Sequence, residues 1–129
     1  MAYYTYIREP FESELEFFRK NKGVGGMATE DGKVILNPFS PLSPAEKTSV
    51  ALNESARLYL RKIGAPSFAI TDIQKSKFKD YGSEDDIKST IAARILTGDP
   101  SVSDATEDQI KYVNRFLKPY VKPPIVGPE

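Results

Sequence analysis

Apolar residues recur at helical spacing in five stretches of this chain, and polar starts and glycine stops mark them off. Phe11, Leu15 and Phe18 fall at i, i+4 and i+7. They predict a helix opening at Pro10, running to about Asn21 and ended by Gly23. Glu12, Glu14 and Glu16 crowd its first half and Arg19, Lys20 and Lys22 its last, the order the helix dipole favours. Leu52, Ala56, Tyr59 and Ile63, widened by Leu60, make the stripe of a longer helix over about 44–63. A short helix is expected at about 72–80. Ile87, Ile91 and Ile95 stack over about 84–97, and Ile110, Val113 and Leu117 point inward over about 107–118.

Four of these helices share one start. Ser43-Pro44-Ala45-Glu46, Thr71-Asp72-Ile73-Gln74, Ser83-Glu84-Asp85-Asp86 and Thr106-Glu107-Asp108-Gln109 each place a hydroxyl at the N-cap and an acid or amide three residues on. The hydroxyl accepts from the third backbone N–H, and the later side chain accepts from the N-cap N–H. Asp86 is the shortest of the four partners. Gly64, Gly82 and Gly98 end three segments and Pro119 the fourth.

Two other periodicities interrupt the helices. Val34-Ile35-Leu36 is β-branched and follows Asp31-Gly32, a hairpin turn signal, so Val24–Thr29 is its expected partner strand. The segment before residue 10 alternates Tyr4 and Tyr6 with Tyr3, Thr5 and Ile7, a strand-like pattern. Residues 119–129 hold Pro119, Pro123, Pro124 and Pro128, which preclude a helix and favour polyproline II. The expected fold is therefore mainly α. It has four principal helices plus a short one over residues 10–118, with a two-stranded β-hairpin at about 24–37. Extended arms flank it, Tyr-rich over 1–9 and Pro-rich over 119–129.

Composition narrows the chemistry. The 129 residues fit one domain, and 18 basic against 18 acidic side chains leave no net field to steer the chain toward nucleic acid or an acidic membrane. With 0 Cys and 0 His, thiolate nucleophiles, disulfides, the commonest general base and the commonest zinc ligands are all missing. No apolar run approaches the roughly 20 residues that span a bilayer. The N-terminus lacks the basic start and apolar core of a signal peptide, so synthesis in the cytoplasm is expected.

The short motifs lead away from catalysis. Gly23-Val24-Gly25-Gly26 follows a helix and enters a strand, the reverse of a phosphate loop, and lacks its Lys-Ser or Lys-Thr. Asn53-Glu54-Ser55-Ala56-Arg57 has the spacing of a zinc-protease helix but Asn and Arg where the imidazoles belong. Glu54 is expected to pair with Arg57 or Arg61, or to anchor a neighbouring loop. The acids Asp80, Glu84, Asp85 and Asp86 serve a helix start better than a cation. The basic residues of 57–79 read as a solvated face. No catalytic, cofactor-binding or metal-ligating residue is expected. Glu54, Arg57 and Arg94 are the candidates for fixed polar contacts.

Gly26-Met27-Ala28, Val34-Ile35-Leu36-Asn37-Pro38-Phe39-Ser40, Ala51-Leu52-Asn53-Glu54-Ser55-Ala56-Arg57 and Ile91-Ala92-Ala93-Arg94-Ile95-Leu96-Thr97-Gly98-Asp99-Pro100 form a recognisable set. Across about residues 23–117 the chain resembles small proteins encoded in tailed-bacteriophage genomes, a group to which no activity attaches. The resemblance implies a phage setting. It carries over no catalytic residue.

Together these features predict a non-enzymatic assembly subunit, a minor virion protein made in the host cytoplasm and then built into the particle. Its partners would be larger virion proteins and copies of itself, with no membrane and no nucleic acid. Tyr offers large contact area at low entropic cost, and a polyproline segment is ordered before it docks. Tyr3, Tyr4 and Tyr6 in one arm and Pro123, Pro124, Ile125 and Val126 in the other are thus the expected partner contacts. The alternative is a small effector that binds a host protein or nucleic acid during infection.

Overall fold

The computed structural model describes residues 3–126. Its element order is β1 (Tyr6–Ile7), α1 (Glu12–Lys20), β2 (Gly26–Ala28), β3 (Val34–Leu36), α2 (Pro44–Ile63), α3 (Asp72–Lys77), α4 (Glu84–Thr97), α5 (Glu107–Tyr112) and β4 (Ile125–Val126). The protein is mainly α. All four expected capping boxes form, at Ser43, Thr71, Ser83 and Thr106. Even the short Asp86 closes its box, accepting from the Ser83 N–H at 2.9 Å. At the far end of α4, Gly98 takes the left-handed conformation (φ 69°) that a side chain would strain. The Asp99 N–H then reaches the Arg94 carbonyl at 2.9 Å.

α2 and α4 pack along each other and enclose the main core of Ala56, Leu60, Ile87, Ile91, Ala92 and Ala93, which Phe68, Phe78, Val113, Leu117 and Val121 complete. α5 runs on into a π-helical turn, Val113–Leu117, where the Lys118 N–H bonds to the Val113 carbonyl at 2.9 Å.

Several expectations shift. α1 opens at Glu12 with Phe11 as its N-cap, so Pro10 lies outside it. Glu14 accepts from the Phe11 N–H at 2.7 Å, which supplies half a capping box. Phe11 leaves the apolar stripe, is 60% exposed, and lies 3.8 Å below the Arg8 guanidinium. Ile63 and Ile110 face solvent, at 48% and 42% exposure. The reason in α2 is burial on two sides. Ala56 and Leu60 face α4, while Ser55, a quarter turn away, bonds to Thr5 of the sheet.

The largest departure concerns the hairpin and the arms. β2 and β3 do pair antiparallel, with Met27 opposite Ile35, but they belong to a four-stranded sheet in the order β2-β3-β1-β4. β1 lies between β3 and β4 and runs parallel to both. The two arms are therefore integral to the domain. Tyr3 bridges Val121, and Tyr3 and Tyr120 both pack on Tyr59 of α2, at 5.2 Å and 6.3 Å between ring centroids. The physical reason is that two isolated strands are marginal in water. Here the hairpin gains a third and a fourth strand, and the Thr5 and Ser55 hydroxyls, both buried, bond at 2.5 Å.

Arg8 locks this end. It donates to both Glu14 oxygens, at 2.8 Å and 3.0 Å, and reaches Asp31 at 3.3 Å, so β1, α1 and the hairpin turn meet on one guanidinium. The pairing holds the Glu14 carboxyl below its usual range. Asn37 performs a similar service for α1. Its side-chain amide donates to the Asn21 and Val24 carbonyls, at 3.2 Å and 2.7 Å, and so ties the turn that follows the helix to the end of β3.

Candidate functional site

Two surfaces stand out. The first is a cleft of about 410 Å³ between α2, α4 and the β2 strand. β2 approaches α2 closely there because Gly26 has no side chain; a Cβ would meet Val50 Cγ1 of α2 at 3.1 Å. Glu54, Arg57 and Arg94, picked out separately in the sequence, all line it.

Each has a distinct footing. Burial pushes the Glu54 carboxyl above its ordinary value, while the Arg57 charge, the Ala28 N–H and the Arg61 charge pull it back. Glu54 faces Arg57 first, whose Nε lies 4.0 Å from Oε1, with the Ala28 N–H a lesser influence. Arg61 turns away and donates to the Thr29 carbonyl at 2.9 Å, fastening α2 to the hairpin. Arg57 donates from Nε to the Asn53 side chain at 3.0 Å. Among the described residues, its two terminal nitrogens meet no hydrogen-bond acceptor.

Arg94 is held on both sides by neutral groups. Nη1 donates to Ser101 Oγ at 3.0 Å and Nη2 to the Tyr81 hydroxyl at 2.6 Å. The guanidinium also lies against the Phe78 and Tyr81 rings, 5.3 Å and 5.1 Å from their centroids. Beyond Arg57 and Tyr81 the cleft continues into a second lobe of about 340 Å³ toward Arg61 and Ser89. Sequence reasoning missed Tyr81 and Asn53. A lone tyrosine after a short helix and one amide in a long helix carry no signal until the helices dock.

The second surface is the sheet face turned away from α2. Side chains alternate along a strand, and paired residues share a face. Thr5 points at α2, so Tyr4 and Tyr6 point away, and the pairing adds Ile125 beside Tyr6. Ile35 and its partner Met27 lie on the same outer side. Ile35 is covered, but Tyr4, Tyr6, Met27 and Ile125 stay 56%, 38%, 36% and 45% exposed. Lys33 Nζ lies 5.1 Å from the Tyr6 ring.

The expected contact residues therefore divide. Tyr4, Tyr6 and Ile125 are presented outward. Tyr3 is half-buried against Tyr59, with its N–H bonded to the Tyr120 carbonyl. Pro123 is exposed and Pro124 half-buried as the chain runs alongside β1. Val126 pairs with Ile7 through the backbone; its side chain, like residues 127–129 of the expected arm, lies outside the described residues.

No protein-family model, curated protein or solved structure matches the chain. No helix among the described residues is long and apolar enough to cross a membrane.

Proposed function

We propose that this protein is a non-enzymatic assembly subunit, a minor virion protein in the phage setting its sequence resembles, that docks through the outer face of its sheet. The observation that carries this reading is the exposed pair of Tyr6 and Ile125, which Tyr4 continues along β1, with Met27 exposed on the same face two strands away. Aromatic and aliphatic side chains, with Lys33 beside Tyr6 and the Arg8 charge paired to Glu14 and Asp31, resemble the core of a protein interface, where unpaired charge is depleted and Tyr and Met are enriched.

Contact runs through side chains and not by strand addition. Pro123 and Pro124 lead into the edge strand β4 without backbone N–H groups, and prolines at a sheet edge discourage pairing with another chain. The fitting partner is a flat apolar patch on a larger virion protein. A partner covering about 800 Å² of this side would reach the usual size of a specific complex.

The test is incorporation. Particles carrying Tyr4→Ser, Tyr6→Ser and Ile125→Ser together should lose the subunit, while the purified variant melts cooperatively within a few degrees of the wild type. Normal occupancy of the variant in purified particles would overturn the reading.

A further inference from the structure

The α2–α4 cleft holds two arginines whose fixed hydrogen bonds go to neutral groups. Arg94 is oriented by two hydroxyls and two aromatic rings, with no carboxylate in ion-pair contact among the described residues. Arg57 is oriented through Nε, which bonds to Asn53 and lies 4.0 Å from Glu54, and among the described residues its terminal nitrogens meet no hydrogen-bond acceptor. Such an arrangement is expensive to keep unless something uses it, because ordering a long cationic side chain costs rotamer entropy. It is also a pre-organised one, since a guanidinium fixed at Nε can still present two parallel N–H groups to a planar anion.

We propose that this cleft is a binding site for a carboxylate, with Arg57 as the bidentate contact and Arg94 as the second cation. Charge decides between a carboxylate and a phosphate. The lining also carries Glu54 and Asp99, so two positive groups face two acids. The site therefore carries no net charge before a ligand enters, so a singly charged planar anion leaves one excess negative charge there and a phosphate dianion leaves two beside the carboxyl of Glu54. Asp99 feels the Arg94 charge but makes no ion pair with either arginine among the described residues, and its Oδ1 accepts from the Ser101 N–H at 2.8 Å. The volume of about 410 Å³ suits a small acid or one acidic side chain of a peptide. The cleft lies on the opposite side of α2's sheet contact from the outer-face group, so the site stands whether or not that face is an assembly surface.

The experiment is a titration of the full chain, followed by NMR at the arginine Nε–H resonances at constant ionic strength. The probes are N-acetylglutamate, a blocked Gly-Glu-Gly peptide and inorganic phosphate. Saturable shifts of the Arg57 and Arg94 signals with either carboxylate support the site. A tighter peptide than free acid identifies a protein ligand, and the reverse identifies a small metabolite-like acid. Arg57→Gln should weaken carboxylate binding about tenfold or more, the loss of a charge-assisted bond. Arg57→Lys, which keeps the charge but not the fork, should weaken it several-fold. Each variant's melting temperature is measured alongside, so that loss of binding is not loss of fold. Phosphate binding more tightly than either carboxylate, or equal binding by Arg57→Gln, overturns the proposal. So do shifts that grow linearly without saturation for every anion.

Discussion

Gln74 and Gln109 are both 0% exposed, and each does two jobs with one amide. The Gln74 oxygen accepts from the Thr71 N–H at 3.0 Å and the Gln109 oxygen from the Thr106 N–H at 3.0 Å, closing two capping boxes. The same two amides then face each other and exchange bonds at 2.8 Å and 2.7 Å, and Gln109 also donates to the Ala69 carbonyl. Because the cap N–H groups need oxygen, they also fix which end of each amide is which. Gln109→Ala removes a cap, worth about 1 kcal/mol. It also breaks the mutual pair, at about 0.5–1.5 kcal/mol for each bond, and strands part of a buried amide at about 1–3 kcal/mol. The expected cost is about 3–7 kcal/mol, a large fraction of a typical domain's stability. Gln74→Ala should cost nearly as much. The double variant should fall short of the sum by about 1–3 kcal/mol, since the second truncation leaves no new orphan. Urea melts of the four proteins supply the cycle. Strict additivity would refute the reasoning, because it would mean that the two amides do not depend on each other.

Three further outcomes are expected. Ile91, fully buried at the centre of the main core, should cost about 2–5 kcal/mol when truncated to Ala, and a neutral denaturant melt would mean that α4 turns another face inward. For Glu54, burial raises the native carboxyl above its ordinary value of 4.5, so its contribution is present below the unfolded pKa and lost as pH rises through the native one. The melting temperature of Glu54→Gln should therefore gain on the wild type as pH rises through and above the ordinary carboxylate range, and a difference that does not change with pH would contradict the burial argument. Deleting residues 1–8 removes the strand between β3 and β4 together with the Arg8 clamp, so cooperative melting should be lost or shifted far down. An unchanged melt would show that the helices stand without the sheet.

What the sequence made legible was local. A hydroxyl and an acid or amide three residues apart announce a helix start through bonds that span a single turn, and all four such signals hold. Asp31-Gly32 likewise marked the hairpin turn. What was not legible depends on residues far apart. The alternation of Tyr4, Thr5 and Tyr6 reads as a strand, but nothing in it says that its neighbours are Val34 and a Pro-rich segment beyond residue 120. Ile63 and Ile110 continue their stripes on paper and face solvent in the fold, because a stripe reports which side is apolar and not how far along the helix its neighbours reach. Glu54, Arg57 and Arg94 were visible one by one; their common cleft exists only once α2 meets α4.

A central strand drawn from residues 3–7 with one neighbour drawn from residues 121–126 has a consequence for how the protein is made. Chains grow from the N-terminus, and local contacts form long before distant ones. The helices and the hairpin can organise as they emerge, but β1 has no second neighbour until the ribosome has delivered the segment that pairs with it. Until then Tyr4 and Tyr6 sit on an unfinished edge. The outer-face group of Tyr4, Tyr6 and Ile125 is likewise incomplete, because Ile125 follows all five helices along the chain. A chain cut short before residue 121 thus lacks both the finished sheet and the finished surface. The topology makes synthesis through residue 126 a condition for presenting that surface.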